Sequence, residues 1–308
     1  MKRTVPVVAF AVNGTLVVGS DEGEWGSLAG SAVTELPSTG QISACVQDVS
    51  GVVTAACWEP RLEQLRDGAW TSIALSAPAL ALAATDHGLV LADTSGGIAR
   101  LAGASHVPMQ ELTSHEPIVE LVGCGGGIAA LSMSGTVSVA PWPATDGPLV
   151  PVATHAIGRV HAIWPGIRPG TVLVAGATGL GVLEHRRLVA VATDFGEPIA
   201  GATVVHGRAL IWGDRGGAWI IDERLARVAR VRPGASVLVG ATAIGDRALG
   251  WTTDGALYAF DGSAEGGTRL AFGDIVLAVP DVDKVSVIAV RWTPHGGTRA
   301  TREVIGWN

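Results

Sequence analysis

Two stretches of the chain nearly superimpose: "RALIWGDRGGAWIID" from Arg208 and "RALGWTTDGALYAFD" from Arg247, 39 residues later. Aligned without gaps they share Arg, Ala, Leu, Trp, Gly and Asp at the same places, and Trp219 is matched by Tyr258. Self-similarity at such a period marks a chain built from stacked units, each too small to bury its own apolar face. The pattern runs through the whole sequence. Units begin "GTLVVGSDEGEWGSL" (Gly14), "GVVTAACWEP" (Gly51), "GLVLADTSGGIARLAG" (Gly88), "GIAALSMSGTVSVAPW" (Gly127) and "GTVLVAGATGLGVLEH" (Gly170). The matched pair and "KVSVIAVRWTPHGGTRATREV" (Lys284) complete the set. Successive starts lie about 37 to 43 residues apart.

Each pair of runs follows another apolar run, such as "ALALAATDHG" or "SVLVGATAIGD", and precedes a polar-apolar segment such as "PMQELT" or "LVPVAT". That makes four short strands per unit, joined by tight turns. With 42 Gly and 16 Pro among 308 residues, long helices are disfavoured. The continuously apolar first runs read as strands buried on both faces, and the later ones as half-buried outer strands. "RLEQLRDG" from Arg61 reads as at most a turn or two of helix and obscures the second unit. Four-stranded sheets repeated radially make a β-propeller. The expectation is therefore an all-β chain, residues 1–308 forming one propeller domain of eight four-stranded blades. Seven blades result if one unit is an insertion. The last unit lacks a fourth strand, which "MKRTVP" can supply, closing the ring by joining the N- and C-terminal strands and protecting its edges. "TVPVVAFAV" has too short an apolar run and no exit site for a secretory signal, so it reads as a first strand.

"SMSGTVSVAPW" and "TTDGALYAFDG" resemble the turn and third strand of WD40-like and quinoprotein-like propeller repeats. The first is similar to the S-x-D-G-T-V…W pattern, the second to D-G-x-L-Y-A-x-D. Most units lack the Gly-His and Trp-Asp of WD40 repeats, and the Trp-docking signature of quinone-cofactor dehydrogenases is missing. The resemblance implies a propeller that serves as a rigid platform for partner proteins.

No motif identifies a reaction. "VGCGGGIAAL" and "GATGLG" lie between strands and read as hairpin turns, since a dinucleotide site needs its glycines to open a helix. "LSMSG" lacks the first Gly of a nucleophile elbow, so Ser132 and Ser134 read as turn residues. Cys45, Cys57 and Cys124 form no disulfide framework or metal spacing and fit a reducing, cytoplasmic setting. The eight histidines are dispersed, and no cofactor is implied. A net charge of −7 disfavours nucleic acid and anionic membrane as partners. The charge is polarised: residues 1–154 hold 5 Lys/Arg and 14 Asp/Glu, residues 155–308 hold 16 and 14.

Ten Trp against one Tyr and four Phe is an unusual balance. Trp212 and Trp251 are equivalent, near the end of a second strand, with Trp58 and Trp292 at similar places. They either wedge between blades or anchor a partner. The adjoining turns carry Asp21, Glu22, Asp93, Asp214, Arg215, Asp254 and His295. The leading expectation is a noncatalytic scaffold that recognises another protein through this turn face. The alternatives are a hydrolase- or lactonase-like enzyme with a metal in a central channel, and a carbohydrate binder.

Overall fold

The computed structural model describes all residues except 1–6, 13–14, 30–31, 49, 67, 87, 103–104, 109–113, 115, 126, 142–148, 232–235, 245–246, 261–266, 281–285, 294–298 and 307–308. Eight antiparallel sheets follow one another along the sequence, and we number them as blades 1 to 8. Blade 1 is Val8–Val12, Thr15–Gly19, Trp25–Ala29 and Ala32–Leu36; blade 2 is Ile42–Gln47, Val53–Cys57, Arg61–Arg66 and Ala69–Ala74. Blade 3 is Ala79–Thr85, Gly88–Asp93, Ile98–Ala102 and Ser105–Pro108; blade 4 is Ile118–Gly123, Gly127–Ser132, Val137–Pro141 and Val150–Pro151. Blade 5 is Val160–Pro165, Thr171–Gly176, Gly179–Glu184 and Arg187–Ala192; blade 6 is Ile199–Val205, Arg208–Gly213, Ala218–Asp222 and Arg227–Val231. Blade 7 is Leu238–Ile244, Arg247–Thr252, Leu257–Phe260 and Thr268–Ala271. Blade 8 has three described strands, Ile275–Pro280, Ser286–Thr293 and Arg299–Gly306. The repeated pair from Arg208 and Arg247 is thus the second strand, turn and third strand of blades 6 and 7. No helix among the described residues is long and apolar enough to cross a membrane.

Two features differ from the sequence reading. "RLEQLR" is the third strand of blade 2, so the second unit is a complete blade. Its helical composition yields because its polar side chains find partners across the sheet. Gln64 donates to Thr54 (3.2 Å), which faces it in register, and Glu63 accepts from Ser72 (2.7 Å), which also faces it. Arg61 pairs with Glu63 at 2.9 Å. Buried polar groups matched in this way cost little. Nor are the first strands the most enclosed. Val53–Cys57 and Thr171–Gly176, both second strands, are buried throughout, whereas the first strand of blade 3 alternates. First strands are edge strands paired on one side only, and small Ala and Gly side chains make them apolar without enclosing them. Fourth strands are the most exposed, as expected.

The chain forms two compact units. One comprises Met1–Gly40, Ile199–Asp222 and Ala226–Asn308, and the other Gln41–Pro198 with Glu223–Leu225. In the first unit, Leu210, Trp212 and Ile220 of blade 6 pack on Leu238, Ala248 and Phe260 of blade 7. Leu249 and Leu257 of blade 7 pack on Ile275, Ala278 and Ala289 of blade 8. Val290 of blade 8 joins Leu16, Val18 and Leu28 of blade 1. The C-terminal blade therefore seats directly on the N-terminal one through an apolar seam. The strand exchange expected of "MKRTVP" lies outside the described residues. In the second unit the same kind of seam joins blade 2 to 3, 3 to 4 and 4 to 5.

A repeated device fixes the turn between second and third strands. The last residue of the second strand, or the one after it, is Ser20, Asp93, Ser132 or Thr252, and its side-chain oxygen accepts the amide N–H four residues on. Three residues on comes a glycine at positive φ: Gly23 (78°), Gly96 (84°), Gly135 (91°) and Gly255 (75°). The carbonyls of Gly23, Gly96 and Gly255 accept N–H groups of Thr39, Ser114 and Gly273, in the segments leading to the next blade. Turn and seam are therefore one structure.

Candidate functional site

The second-to-third turns of each unit emerge at equivalent ends of its blades. In the second unit this end carries residues 58–60, 94–95, 133–134 and 177–178, all exposed. Trp58 directly follows the second strand of blade 2. Its amide donates to Gln41 (3.0 Å), yet the residue remains 52 % exposed. Behind it, Arg61 bridges Glu59 (3.3 Å) and Glu63 (2.9 Å), holding the turn in one shape. Met133 occupies the equivalent position after the second strand of blade 4 and is 58 % exposed. Its backbone is fastened on both sides: its amide donates to Pro117 (2.9 Å), and its carbonyl accepts from Arg159 (3.0 Å). Beside it, Ser134 donates its amide to Glu116 (3.3 Å). Hydroxyls of Ser134 and Ser132 hold the Glu116 carboxyl below its usual range, so it is an anion at neutral pH. The surface thus presents two large apolar side chains on rigid backbones, flanked by the carboxylates of Glu59 and Glu116.

The other expected site residues separate into clear roles. Asp93 belongs to its own turn, accepting from the amides of Ser95 (2.9 Å) and Gly97 (2.9 Å) and from the Ser95 hydroxyl (2.6 Å). In the first unit, Asp21 and Glu22 are exposed at the turn of blade 1, and Asp214 and Arg215 at that of blade 6, 3.8 Å apart. Asp254, at the turn of blade 7, accepts from the Thr252 hydroxyl (2.5 Å). That bond, with a further one from Ser236, lowers its carboxyl below the ordinary range. Trp292 lies in the second strand of blade 8, opposite Ala300. The Trp292 side chain and the whole of His295 lie outside the described residues.

Trp212 and Trp251 are seam residues. Trp212 is 7 % exposed within the seam of blades 6 and 7, and Trp251 packs against the next seam. Each ring lies over a glycine directly opposite on the first strand: Gly201 faces Trp212 and Gly240 faces Trp251. A Cβ on Gly201 or Gly240 would fall 2.0 Å or 2.2 Å from the indole. Both glycines follow a β-bulge that shifts the register by one residue. In blades 2, 3 and 5 the same two places hold Ala and Ala: Ala44 with Ala56, Ala81 with Ala92, and Ala162 with Ala175. Volume is thus exchanged across the pair.

Among the described residues, nucleophiles and metal ligands do not assemble. Burial pushes all three thiols up, Cys45 most of all and Cys124 to about 11, so they are protonated at neutral pH. Ser132 bonds Ser134 and the Thr136 amide, as a turn residue does. His185 sits in the turn of a two-residue hairpin rather than in a strand beside Glu184. Among the described residues no group of three His, Cys, Asp or Glu side chains converges as metal ligands.

One carboxylate is out of keeping with its surroundings. Glu120, on the first strand of blade 4, accepts the amide of Ile163 (2.8 Å) on the first strand of blade 5. Equivalent positions in blades 2, 3 and 5 hold Ala. Burial raises its carboxyl above the usual range, only partly offset by the Ile163 amide and by His161. A raised carboxyl binds its proton more tightly folded than unfolded. Its contribution to stability is therefore present in acid and is lost as pH rises through the raised value. Glu120→Gln keeps the acceptor for Ile163 and removes the charge. The variant should melt higher than the parent at pH 7 and equal to it below the ordinary carboxyl range. A lower melting temperature at pH 7 would contradict the assignment.

No protein-family model matches the sequence, and no curated protein does. Solved structures match in shape. The chain is similar to a computationally designed protein, Ika8, with a TM-score of 0.78 at 12 % identity over 99 % of this chain and 97 % of that one. It is similar to the C-terminal WD40 domain of Sif2, with a TM-score of 0.71 at 12 % identity over 100 % and 99 % of the two chains. The WD40 β-propeller domain of Doa1 matches with a TM-score of 0.59 at 12 % identity over 87 % of this chain and 97 % of that one. At such identity the likeness speaks for the fold alone: an all-β, eight-bladed β-propeller.

Proposed function

We propose that the chain is a noncatalytic scaffold, acting as one domain in the cytoplasm, that binds another protein through the turn end of blades 2 to 4. The observation that carries this reading is the exposure of Trp58 and Met133 at equivalent places in one unit, each on a backbone fixed by hydrogen bonds. Trp is the commonest hot-spot residue, Met is enriched in interface cores, and neither adds stability while facing water. A rigid platform spares the ordering cost of association. Glu59 and Glu116 at the rim select a partner whose apolar anchor is flanked by basic side chains. The WD40-like fold is in keeping with this role, and the net charge of −7 argues against nucleic acid or anionic membrane as the partner.

Trp58→Ala should leave the melting temperature unchanged and weaken partner binding by about 30-fold or more, as loss of a hot spot does. The measurement is quantitative capture from lysate on the immobilised parent and on Trp58→Ala and Met133→Ala, followed by titration of the captured protein. Equal affinity in all three would remove the support for this surface.

A further inference from the structure

The outer edges of the blades are not equally defended. An edge strand offers unpaired N–H and C=O groups to any extended chain, and proteins blunt such edges with charge, proline or shortness. The fourth strand of blade 3 ends in Pro108, and that of blade 4 has only two residues, one of them Pro151. Blade 6 places Arg227 and Arg230 on its fourth strand, blade 7 places Arg269, and blade 1 places Glu35. The fourth strand of blade 2 has neither charge nor proline but shows water the small or polar Ala69, Thr71, Ser72 and Ala74. Blade 5 differs. Its fourth strand, Arg187–Ala192, reads RLVAVA and alternates exposed with half-buried residues. Val189 is 50 % exposed and Val191 42 % exposed. Past Arg187 it carries no charge and no proline. A bulge at Val189 leaves Ala190–Ala192 as the regular part of the edge.

The charges at its two ends have opposite sign. His185, Arg186 and Arg187 lie at the start, and Asp194 follows at the end. Two copies of such an edge laid antiparallel bring the basic end of each against the acidic end of the other, twice, with the valines between them. This is the self-complementarity that a two-fold interface requires. We propose that the chain self-associates through antiparallel pairing of the fourth strand of blade 5 with the same strand of a second copy. The pairing extends the four-stranded sheet into a continuous eight-stranded one. It uses a different surface from Trp58 and Met133 and does not depend on their role.

Sedimentation velocity over micromolar to millimolar concentration tests it. The parent should pass from 31.3 kDa to twice that mass. Val191→Lys, a change at an exposed position, should weaken association by about 100-fold, because the symmetry places two lysines, one from each copy, in the interface. Its melting temperature should match that of the dilute parent. Arg187→Asp should weaken association, and adding Thr193→Arg, beside Asp194, should restore it. A parent that stays at 31.3 kDa throughout, or Val191→Lys that associates as the parent does, overturns the proposal. So does a monomeric parent whose blade 5 edge takes up an extended peptide, since the occupant is then a foreign strand. Failure of the double variant to recover removes the antiparallel charge register.

Discussion

Gly201→Ala is expected to destabilise the protein by about 1–3 kcal/mol in the parent, and to stabilise it by up to about 1 kcal/mol when Trp212 is already alanine. The change of sign follows from the packing of the pair. In the parent, the new Cβ would sit 2.0 Å from the indole, which is itself enclosed by the seam of blades 6 and 7. The ring cannot swing away without opening that seam, so the substitution overpacks it. Trp212→Ala alone leaves a cavity and should cost about 3–5 kcal/mol. With the ring gone, the three atoms nearest the new Cβ are gone too, and alanine at 201 reduces the freedom of the unfolded chain. The double variant recreates the Ala–Ala pairing that blades 2, 3 and 5 already use. Urea denaturation of the four proteins closes the cycle. Additive effects would show that Gly201 and Trp212 are not a packing unit. Gly240 and Trp251 should behave alike, as the same register recurs one blade later.

Gly23→Ala should be more damaging still, at about 3–5 kcal/mol, whereas Gly51→Ala should cost only about 1–2 kcal/mol. Both glycines have positive φ, 78° and 85°, so both substitutions incur the left-handed penalty. Their surroundings differ. A Cβ at Gly23 would lie 1.8 Å from the Gly40 carbonyl oxygen, while at Gly51 the nearest atom is the Gln47 amide nitrogen at 3.8 Å. Backbone cannot step aside as a side-chain tip can. Pushing it away also disturbs Thr39, whose hydroxyl accepts the buried Trp25 Nε1–H at 2.8 Å. A buried indole N–H without an acceptor adds a desolvation penalty to the strain. Thermal melting of the two variants separates the contributions; similar losses in both would mean the Gly23–Gly40 approach relaxes without cost.

The repeat was legible because a short-period strand pattern inside a 39-residue period leaves few architectures open. The matched stretches from Arg208 and Arg247 occupy equivalent strands, and the turn glycines Gly216 and Gly255 both have positive φ. The blade 2 strand from Arg61 was not legible. Its Glu and Gln have helical propensity, and the Thr54 and Ser72 that satisfy them lie on other strands. The tryptophans were legible as a group but not by role. Trp58, Trp212 and Trp251 sit at similar sequence places, yet only the latter two face a glycine across the sheet. A search for that glycine, eleven positions upstream of Trp212 and of Trp251, separates seam from surface. The surface role of Met133 was not legible, because the serines on either side of it mark the turn and not the exposed side chain. Its alignment with Trp58, one residue past the second strand, was the available signal.

The fusion of turn and seam sets how these blades can change over evolution or under design. The oxygen-bearing residue and the left-handed glycine are committed to joining one blade to the next. Of the two positions between them, the second is tied to the turn where Ser95, Ser134 and Asp254 bond the oxygen-bearing residue. The first lends the fold only its backbone at Thr94, Met133 and Thr253, whose amides donate to Pro78, Pro117 and Val237 whatever the side chain. Each such turn is thus one variable letter in a fixed socket. Changing that letter should alter what the surface recognises and leave the fold untouched, so that new specificity can be written blade by blade without renegotiating the core.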